Sequence, residues 1–356
     1  MIIPERLKKG SKTAVVSLSW GMLGDARNAH VLSSGLKNMA ELGLVPVIMP
    51  NALKGEEYLD RHPEARAADL KAAFADDSID AVLCAIGGDD TYRLLPILME
   101  DGEFCRLVRE SPKVFMGYSD TTVNHFMFYK LGLRTYYAPA LVSDFAEAGG
   151  MLPYTRAAEE SLFDGMKEIL PSHTWYEERT DFSAEGAAVP RKKHDDGGYE
   201  LIQGDEGFSG ELLGGCLESM SDMLTGDRYA EEKEIVRKYG IFPSAEEWRG
   251  KILFIETSEE RPDPDAYRHY LGSLRDAGVL DAVNGIIAGR PQNRVWYEEY
   301  KTVLREMTDR PVLYNVDIGH GWPKTILPYG QRVTCFGDRI VLEQAEVRGE
   351  PNESET

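Results

Sequence analysis

Lys113-Val114-Phe115-Met116-Gly117-Tyr118-Ser119-Asp120-Thr121-Thr122, continued by an apolar-periodic stretch over 123–131, is the part of this chain from which the rest can be read. A strand-like run delivers Ser119 into a turn, and a helix begins directly after it. A hydroxyl at such a strand-to-helix turn stands at the carboxyl end of a sheet, beside the free N–H groups of the helix start, which is the position a nucleophilic serine needs. A capping role competes for the same residue, because Ser119-Asp120-Thr121-Thr122 ahead of an apolar helix is a good N-cap sequence. His125 lies close by but inside the helix pattern, where a packed or capping histidine is expected rather than a base.

Upstream, the same unit repeats. Strand signals at 13–18, 45–49 and 81–86 alternate with helix signals at 30–42, 64–74 and 92–99. Uniformly apolar strands separated by helices predict an α/β fold with a doubly wound parallel sheet covered on both faces, its ligands gathered at the carboxyl ends of the strands. One of those ends is Gly87-Gly88-Asp89-Asp90. Glycines after a strand can cradle a phosphate, but neither a P-loop lysine nor the third glycine of a dinucleotide fingerprint follows. Main-chain N–H groups there can instead face Ser119 and form part of an oxyanion hole.

Two downstream segments supply partners for the serine. The apolar strand Lys251-Ile252-Leu253-Phe254-Ile255 ends in Glu256, and Asn315-Val316-Asp317-Ile318-Gly319-His320-Gly321 places a histidine between glycines. A Gly-His-Gly loop gains nothing hydrophobic and gives the backbone freedom near a reactive group. Ser119, His320 and Glu256 therefore form a candidate nucleophile, base and orienter, since such triads are defined by role and geometry and not by spacing.

At 356 residues the chain exceeds the usual single-domain size, and two domains are expected. Its formal charge of −20 opposes nucleic acids and anionic membranes, and the one basic cluster, Arg191-Lys192-Lys193, reads as a solvated loop. The start lacks a secretory pattern and no run approaches a membrane span, which predicts a cytosolic protein. Cys84, Cys105, Cys216 and Cys335 show no paired spacing, and the seven histidines show no metal-ligand spacing, so free thiols and no metal are expected. The expected organisation is an N-terminal α/β domain carrying the nucleophile over 1–170, a linker or lid loop over 171–209, a C-terminal domain carrying the acid and base over 210–345, and a disordered acidic tail over 346–356.

With these residues assembled, the chain resembles the LD-carboxypeptidase family of serine peptidases, which includes the microcin C immunity proteins of the MccF type. The resemblance rests on Ile86-Gly87-Gly88-Asp89-Asp90-Thr91, Gly117-Tyr118-Ser119-Asp120-Thr121, Leu213-Gly214-Gly215, Phe254-Ile255-Glu256-Thr257-Ser258-Glu259-Glu260, Gly289-Arg290-Pro291, and Gly319-His320 with Leu327-Pro328-Tyr329-Gly330. It implies a Ser-Glu-His amidase with a flavodoxin- or amidotransferase-like N-terminal domain, a smaller β-rich C-terminal domain, a homodimer and no cofactor. Carried over by position, Ser119 is the nucleophile, His320 the base, Glu256 its orienter, and the N–H groups of Gly88 and Asp120 form the oxyanion hole, with the site between the domains. Length and the Glu-Thr-Ser-Glu-Glu motif favour the MccF branch, in which a loop Trp stacks on adenine. Trp175 and Phe182 compete for that place, and Asp89 and Asp90 are further expected substrate contacts. Many relatives have Gly-Gly-Asn where this chain has Gly214-Gly215-Cys216, so the substrate-facing residue there is Cys216, and an insertion separates 224 from 251.

The expected activity is hydrolysis, through an acyl-enzyme, of the amide between an aminoacyl or peptidyl group and a nucleotide. The alternative is removal of the terminal D-amino acid from a murein LD-tetrapeptide. A silent peptide- or nucleotide-binding protein is a third reading, opposed by the intact triad. An α/β-hydrolase esterase is disfavoured because Thr121 stands where the Gly-x-Ser-x-Gly elbow needs its last glycine.

Overall fold

The computed structural model describes residues 1–204 and 207–343; the expected acidic tail lies outside them. The first sheet is built from β1 (Lys12–Val16), β2 (Val45–Ile48), β3 (Ala81–Cys84), β4 (Val114–Gly117) and β5 (Tyr136–Tyr137). These five strands are parallel and ordered β2-β1-β3-β4-β5, the flavodoxin-like doubly wound arrangement whose order reverses between β1 and β3. Side chains alternate across it. Val15, Leu83 and Met116 enter the core on one face, while Val16, Val82, Cys84 and Phe115 enter the core on the other. That two-sided burial is the reason these strands read as unbroken apolar runs.

The second sheet draws on β6 (Glu168–Ile169), β9 (Glu200–Gln203), β10 (Phe208–Cys216), β11 (Lys251–Glu256), β12 (Gly285–Gly289) and β13 (Val312–Val316), closed by β15 (Arg332–Cys335) and β16 (Ile340–Leu342). β7 (Thr174–Tyr176) and β8 (Lys193–Asp195) form a separate hairpin, and β14 (Leu327–Pro328) joins the free edge of β5 in the first sheet. The second sheet is parallel from β10 through β13 and antiparallel at its flanks. In each sheet a carboxyl end leads to a residue of interest: β4 runs into Ser119, β11 ends in Glu256, and β13 leads to His320.

The stretch expected as a linker or lid, 171–209, contains the β7–β8 hairpin, a one-turn helix at Ala184–Ala187 and the edge strand β9. Arg191, read from sequence as part of a solvated basic loop, is instead nearly buried, with its guanidinium bonded to Glu147 and lying 4.0 Å over the Trp322 ring. The 225–250 insertion carries helix Ala230–Tyr239 and bridges the two sheet units, with Tyr92 Oη donating to Glu231 at 2.9 Å and Tyr229 Oη donating to Asp89 at 3.1 Å. Trp248, at its end, is fully buried against Phe126 and Phe242. No described helix is long and apolar enough to cross a membrane.

Candidate active site

Ser119 leaves β4 with φ of +66°, a left-handed conformation that a non-glycine residue adopts only when its surroundings enforce it. Three contacts do so. The Ser119 N–H donates to Tyr137 Oη at 3.1 Å, and its carbonyl accepts from the Thr122 hydroxyl at 2.6 Å and from the Thr122 N–H at 2.8 Å. The neighbouring strand end must also be bare, because a Cβ on Gly87 would come within 2.7 Å of the Ser119 Cβ. Among the described residues the serine hydroxyl bonds no N–H of the helix Thr121–Leu131 and lines the cleft instead. His125 is the packed histidine expected, bonded to Thr135 and to the Gly117 carbonyl, and burial pushes its pKa down to about 3.

Glu256 ends β11 deep in the protein, 3% exposed. It accepts from the His320 Nδ1–H at 2.7 Å, the His320 N–H at 3.1 Å and the Tyr137 hydroxyl at 2.5 Å. His320 Nε2 then lies 3.2 Å from Ser119 Oγ. The glycine before the histidine is dictated by this packing: Gly319 has φ of +75°, and a Cβ there would fall 2.1 Å from a Glu256 oxygen. Sequence reasoning brought these three residues together and missed Tyr137, whose one hydroxyl touches both the serine backbone and the acid. Tyr137 reads as an ordinary aromatic at a strand end, and only the juxtaposition of the two sheets gives it a role.

A second carboxylate stands at the base. Glu259 Oε2 is 3.1 Å from His320 Nε2, on the side that faces Ser119. Burial opposes a charge on His320, but Glu256 and Glu259 outweigh it and raise its pKa to about 10. The same contact holds Glu259 down at about 2. Burial likewise works against ionised Glu256, and His320 followed by Tyr137 keeps it below the ordinary carboxylate range. Glu259 was visible in the quoted motif, but nothing in the motif told which of its acids would reach the histidine.

Around the serine, the N–H groups of Gly88 and Asp120 donate to no protein group among the described residues. Gly88 has φ of +146° and packs onto Ser19, whose hydroxyl takes the N–H groups of Asp89 at 3.1 Å and Asp90 at 3.2 Å. Asp89 lines the space beside Ser119. Asp90 does not contact it: its carboxylate turns into buried Arg66, at 2.5 and 2.9 Å, and Arg93, at 2.8 Å. Its expected place beside the substrate is thus corrected to an ion pair that anchors the loop. Cys216 donates its N–H to Thr122 Oγ1 at 3.0 Å and borders Ser119 from the second unit.

Two spaces meet at Ser119. One is a small acidic recess. The other is a cleft of about 1030 Å³ lined by Trp20, Tyr118, Phe182, Trp322, Arg179 and Arg191 among others. Phe182 is 64% exposed and is tethered over the cleft by its carbonyl, which accepts from His30 at 3.0 Å. Trp175, expected ahead of Phe182, lies outside the cleft. It is committed to the hairpin, stacked on His194 at 4.2 Å with Arg294 on the ring. Cross-strand pairing in β7–β8 decides that orientation, and composition does not reveal it. Among the described residues no cluster of His, Cys, Asp and Glu is arranged to hold a metal ion.

The Glu259 contact predicts a measurable titration. With Glu259→Gln the imidazole loses one of its two charge partners, so its pKa falls; the His320 midpoint followed by NMR should move to lower pH than in the parent protein. An unchanged midpoint would show that Glu259 does not reach the imidazole in solution.

Comparison with known proteins places the chain in a family. Residues 13–138 match the LD-carboxypeptidase N-terminal domain and residues 209–335 the LD-carboxypeptidase C-terminal domain. A Bacillus subtilis protein named probable murein peptide carboxypeptidase is 29% identical over 92% of this chain and 90% of its own. The Escherichia coli microcin C7 self-immunity protein MccF is 27% identical over 80% of this chain and 79% of its own. The crystal structure of an MccF-like protein from Streptococcus pneumoniae in complex with AMP superposes with a TM-score of 0.91 at 41% identity, covering 94% of this chain and 99% of that one. Matched in both of its sheet units, with a serine, a histidine and a glutamate meeting between them, the chain belongs to the LD-carboxypeptidase family.

Proposed function

We propose that the protein is a serine amidase that cleaves, through an acyl-enzyme on Ser119, the amide joining an aminoacyl or peptidyl group to a nucleotide. The observation that carries this reading is the large cleft opening beside Ser119 and His320, where Trp20 and Phe182 offer rings and Arg27, Arg179 and Arg191 offer guanidinium groups. A flat base attached through an anionic linkage is complementary to rings and guanidinium groups in that combination. The Streptococcus pneumoniae relative crystallised with AMP supports the same half of the substrate.

The chemistry follows from the geometry. His320 Nε2 takes the Ser119 proton as Oγ bonds to the carbonyl carbon, and the N–H groups of Gly88 and Asp120 hold the resulting oxyanion. Collapse breaks the C–N bond, with His320 giving its proton to the departing nitrogen. Water, deprotonated by His320, then attacks the acyl carbon; the C–Oγ bond breaks, the acid leaves and the proton returns to Ser119. Glu256 stays ionised and holds the Nδ1–H throughout. Glu256 and then Glu259 favour the charged imidazole, so His320 Nε2 must leave its contact with Glu259 to accept the serine proton.

A second reading, removal of the terminal D-amino acid from a murein LD-tetrapeptide, uses the same steps with another leaving amine, and the Bacillus subtilis relative's name favours it. The homodimer without a cofactor that the family resemblance implies, and the cytosolic location expected from the sequence, belong to the same proposal. Ser119→Ala should lower kcat by on the order of 10⁴- to 10⁶-fold with the fold intact by circular dichroism. Activity within about tenfold of the parent would contradict the nucleophile. Separately, Phe182→Ala should lower kcat/KM for an aminoacyl nucleotide by ~5- to 150-fold while a D-alanine-terminated tetrapeptide hardly changes. Trp175→Ala should leave the ratio of the two substrates unaltered; equal losses on both substrates with Phe182→Ala would count against the nucleotide reading.

A further inference from the structure

The base is held firmly at only one of its two ring nitrogens. Glu256 fixes the Nδ1 side and the main chain of His320, while Nε2 is shared between Ser119 Oγ at 3.2 Å and Glu259 at 3.1 Å. A ring pinned on one side can still tip, so what packs against it decides which of those two partners Nε2 meets. That neighbour is Tyr118, in a T-shaped contact with 4.9 Å between ring centres, and Tyr118 is the residue joined directly to Ser119.

A buried cation lies against Tyr118 in turn. Lys324 is 1% exposed, and its Nζ stands 5.0 Å from the centre of the Tyr118 ring and 4.1 Å from that of Trp322, within cation–π range of both. Trp322 already carries Arg191 on its ring, whereas Lys324 is the one cation over Tyr118 among the described residues. Base and cation come from the same loop, His320-Gly321-Trp322-Pro323-Lys324. The loop is closed where the Thr325 N–H donates to the Asp317 carbonyl at 2.6 Å, and the Lys324 N–H donates to Thr155 Oγ1 at 2.9 Å.

Burial works against the charge on Lys324 and pulls its pKa down; Asp144, at 2.7 Å, opposes that pull. Asp144 is itself held by the Ala140 N–H at 3.0 Å and the Ser143 hydroxyl at 2.7 Å. A lysine present only to balance buried acids would also reach Glu159. That carboxyl is 1% exposed, is pushed well above the ordinary range by burial and then by Asp144, and leaves its Oε1 without a partner among the described residues. Lys324 bonds Asp144 and places its ammonium by two rings that both line the cleft.

We propose that Lys324 is a positioning residue for the chemistry at Ser119: its buried ammonium fixes the Tyr118 ring, and Tyr118 keeps His320 Nε2 on Ser119 Oγ against the pull of Glu259. The inference rests on the reading of Ser119 and His320 as nucleophile and base but not on the identity of the leaving group.

The test follows, by intact mass, the phosphonylation of Ser119 in the full-length protein by an alkyl fluorophosphonate. The Oγ–P bond forms, the P–F bond breaks to release fluoride, and the serine proton passes to His320, so the rate reports the base without a substrate. Lys324→Met should slow labelling about 10-fold or more. Lys324→Met/Asp144→Asn, which leaves neither charge of the pair unmatched, should be equally slow with the circular dichroism of the parent. Recovery of the parental rate in that double variant would show that Lys324 only balances Asp144 and would overturn the proposal; the double variant decides the matter even if the single one misfolds. In a Tyr118→Leu background the same two changes should cost less than about twofold more, whereas losses that multiply in full would mean that Lys324 does not act through Tyr118. On whichever of an aminoacyl sulfamoyl adenosine and an LD-tetrapeptide is turned over, the loss should fall on kcat, and a loss confined to KM would contradict the proposal. His320→Ala separates the two levels of the account. A parent protein labelled no faster than that variant sinks the base assignment and this inference with it, whereas labelling that depends on His320 but not on Lys324 sinks this inference alone.

Discussion

The hydrogen bonds converging on the Glu256 carboxylate hold the site together. One oxygen takes the Tyr137 hydroxyl from the first sheet, and the other takes both the side chain and the main chain of His320 from the second. Tyr137 in turn accepts the Ser119 N–H, so a single buried acid fixes the backbone of the serine turn and the ring of the histidine at once. Neither sheet alone contains this set. Leaving a buried charge without its partners typically costs about 3–5 kcal/mol, so the convergence couples correct docking of the two units to assembly of the site.

Further ion pairs position the elements that feed this centre. Arg290, in the Gly289-Arg290-Pro291 motif, is buried between Asp196 and Asp317, and Asp317 also accepts the Ser172 N–H at 2.8 Å. The loop bearing His320 is thereby tied to the segment that closes over the cleft. On the first sheet, Arg66 bonds Asp90 and the Leu18 carbonyl at 3.2 Å, which joins the ends of β1 and β3 where the strand order reverses. Glu147 ties Arg179 and Arg191 from the closing segment to the first unit. Charge is distributed unevenly about the serine: the small recess is acidic, whereas the wide cleft sets Arg27, Arg179 and Arg191 against Glu147, Glu178 and Glu259.

The positions of Ser119, Glu256 and His320 were legible because each lies at or just beyond the end of an apolar strand, where a polar residue is hard to explain by packing. The doubly wound first sheet was legible for the related reason that strands buried on both faces have no polar alternation. What escaped depends on contacts between distant segments. Tyr137 gains its significance from what the other unit places beside it, and Trp175 turned away because its partner on the facing strand is His194. Two-residue strands such as β5, β6 and β14 carry no period to detect. Asp90 and Arg191 were misread because a charged residue on a loop looks the same in sequence whether it faces water or a buried counter-charge.

The central claim, that the Glu256–His320 line makes Ser119 Oγ form a covalent bond with the substrate's carbonyl carbon, is tested most directly by trapping that bond. Rapid acid quench of the protein with an aminoacyl sulfamoyl adenosine and, in parallel, an LD-tetrapeptide, followed by intact-mass and peptide mapping, should reveal the mass of the acyl group on Ser119, absent from Ser119→Ala. Hydrolysis of a substrate with no acyl adduct at any time point, or an adduct on another residue, would contradict it.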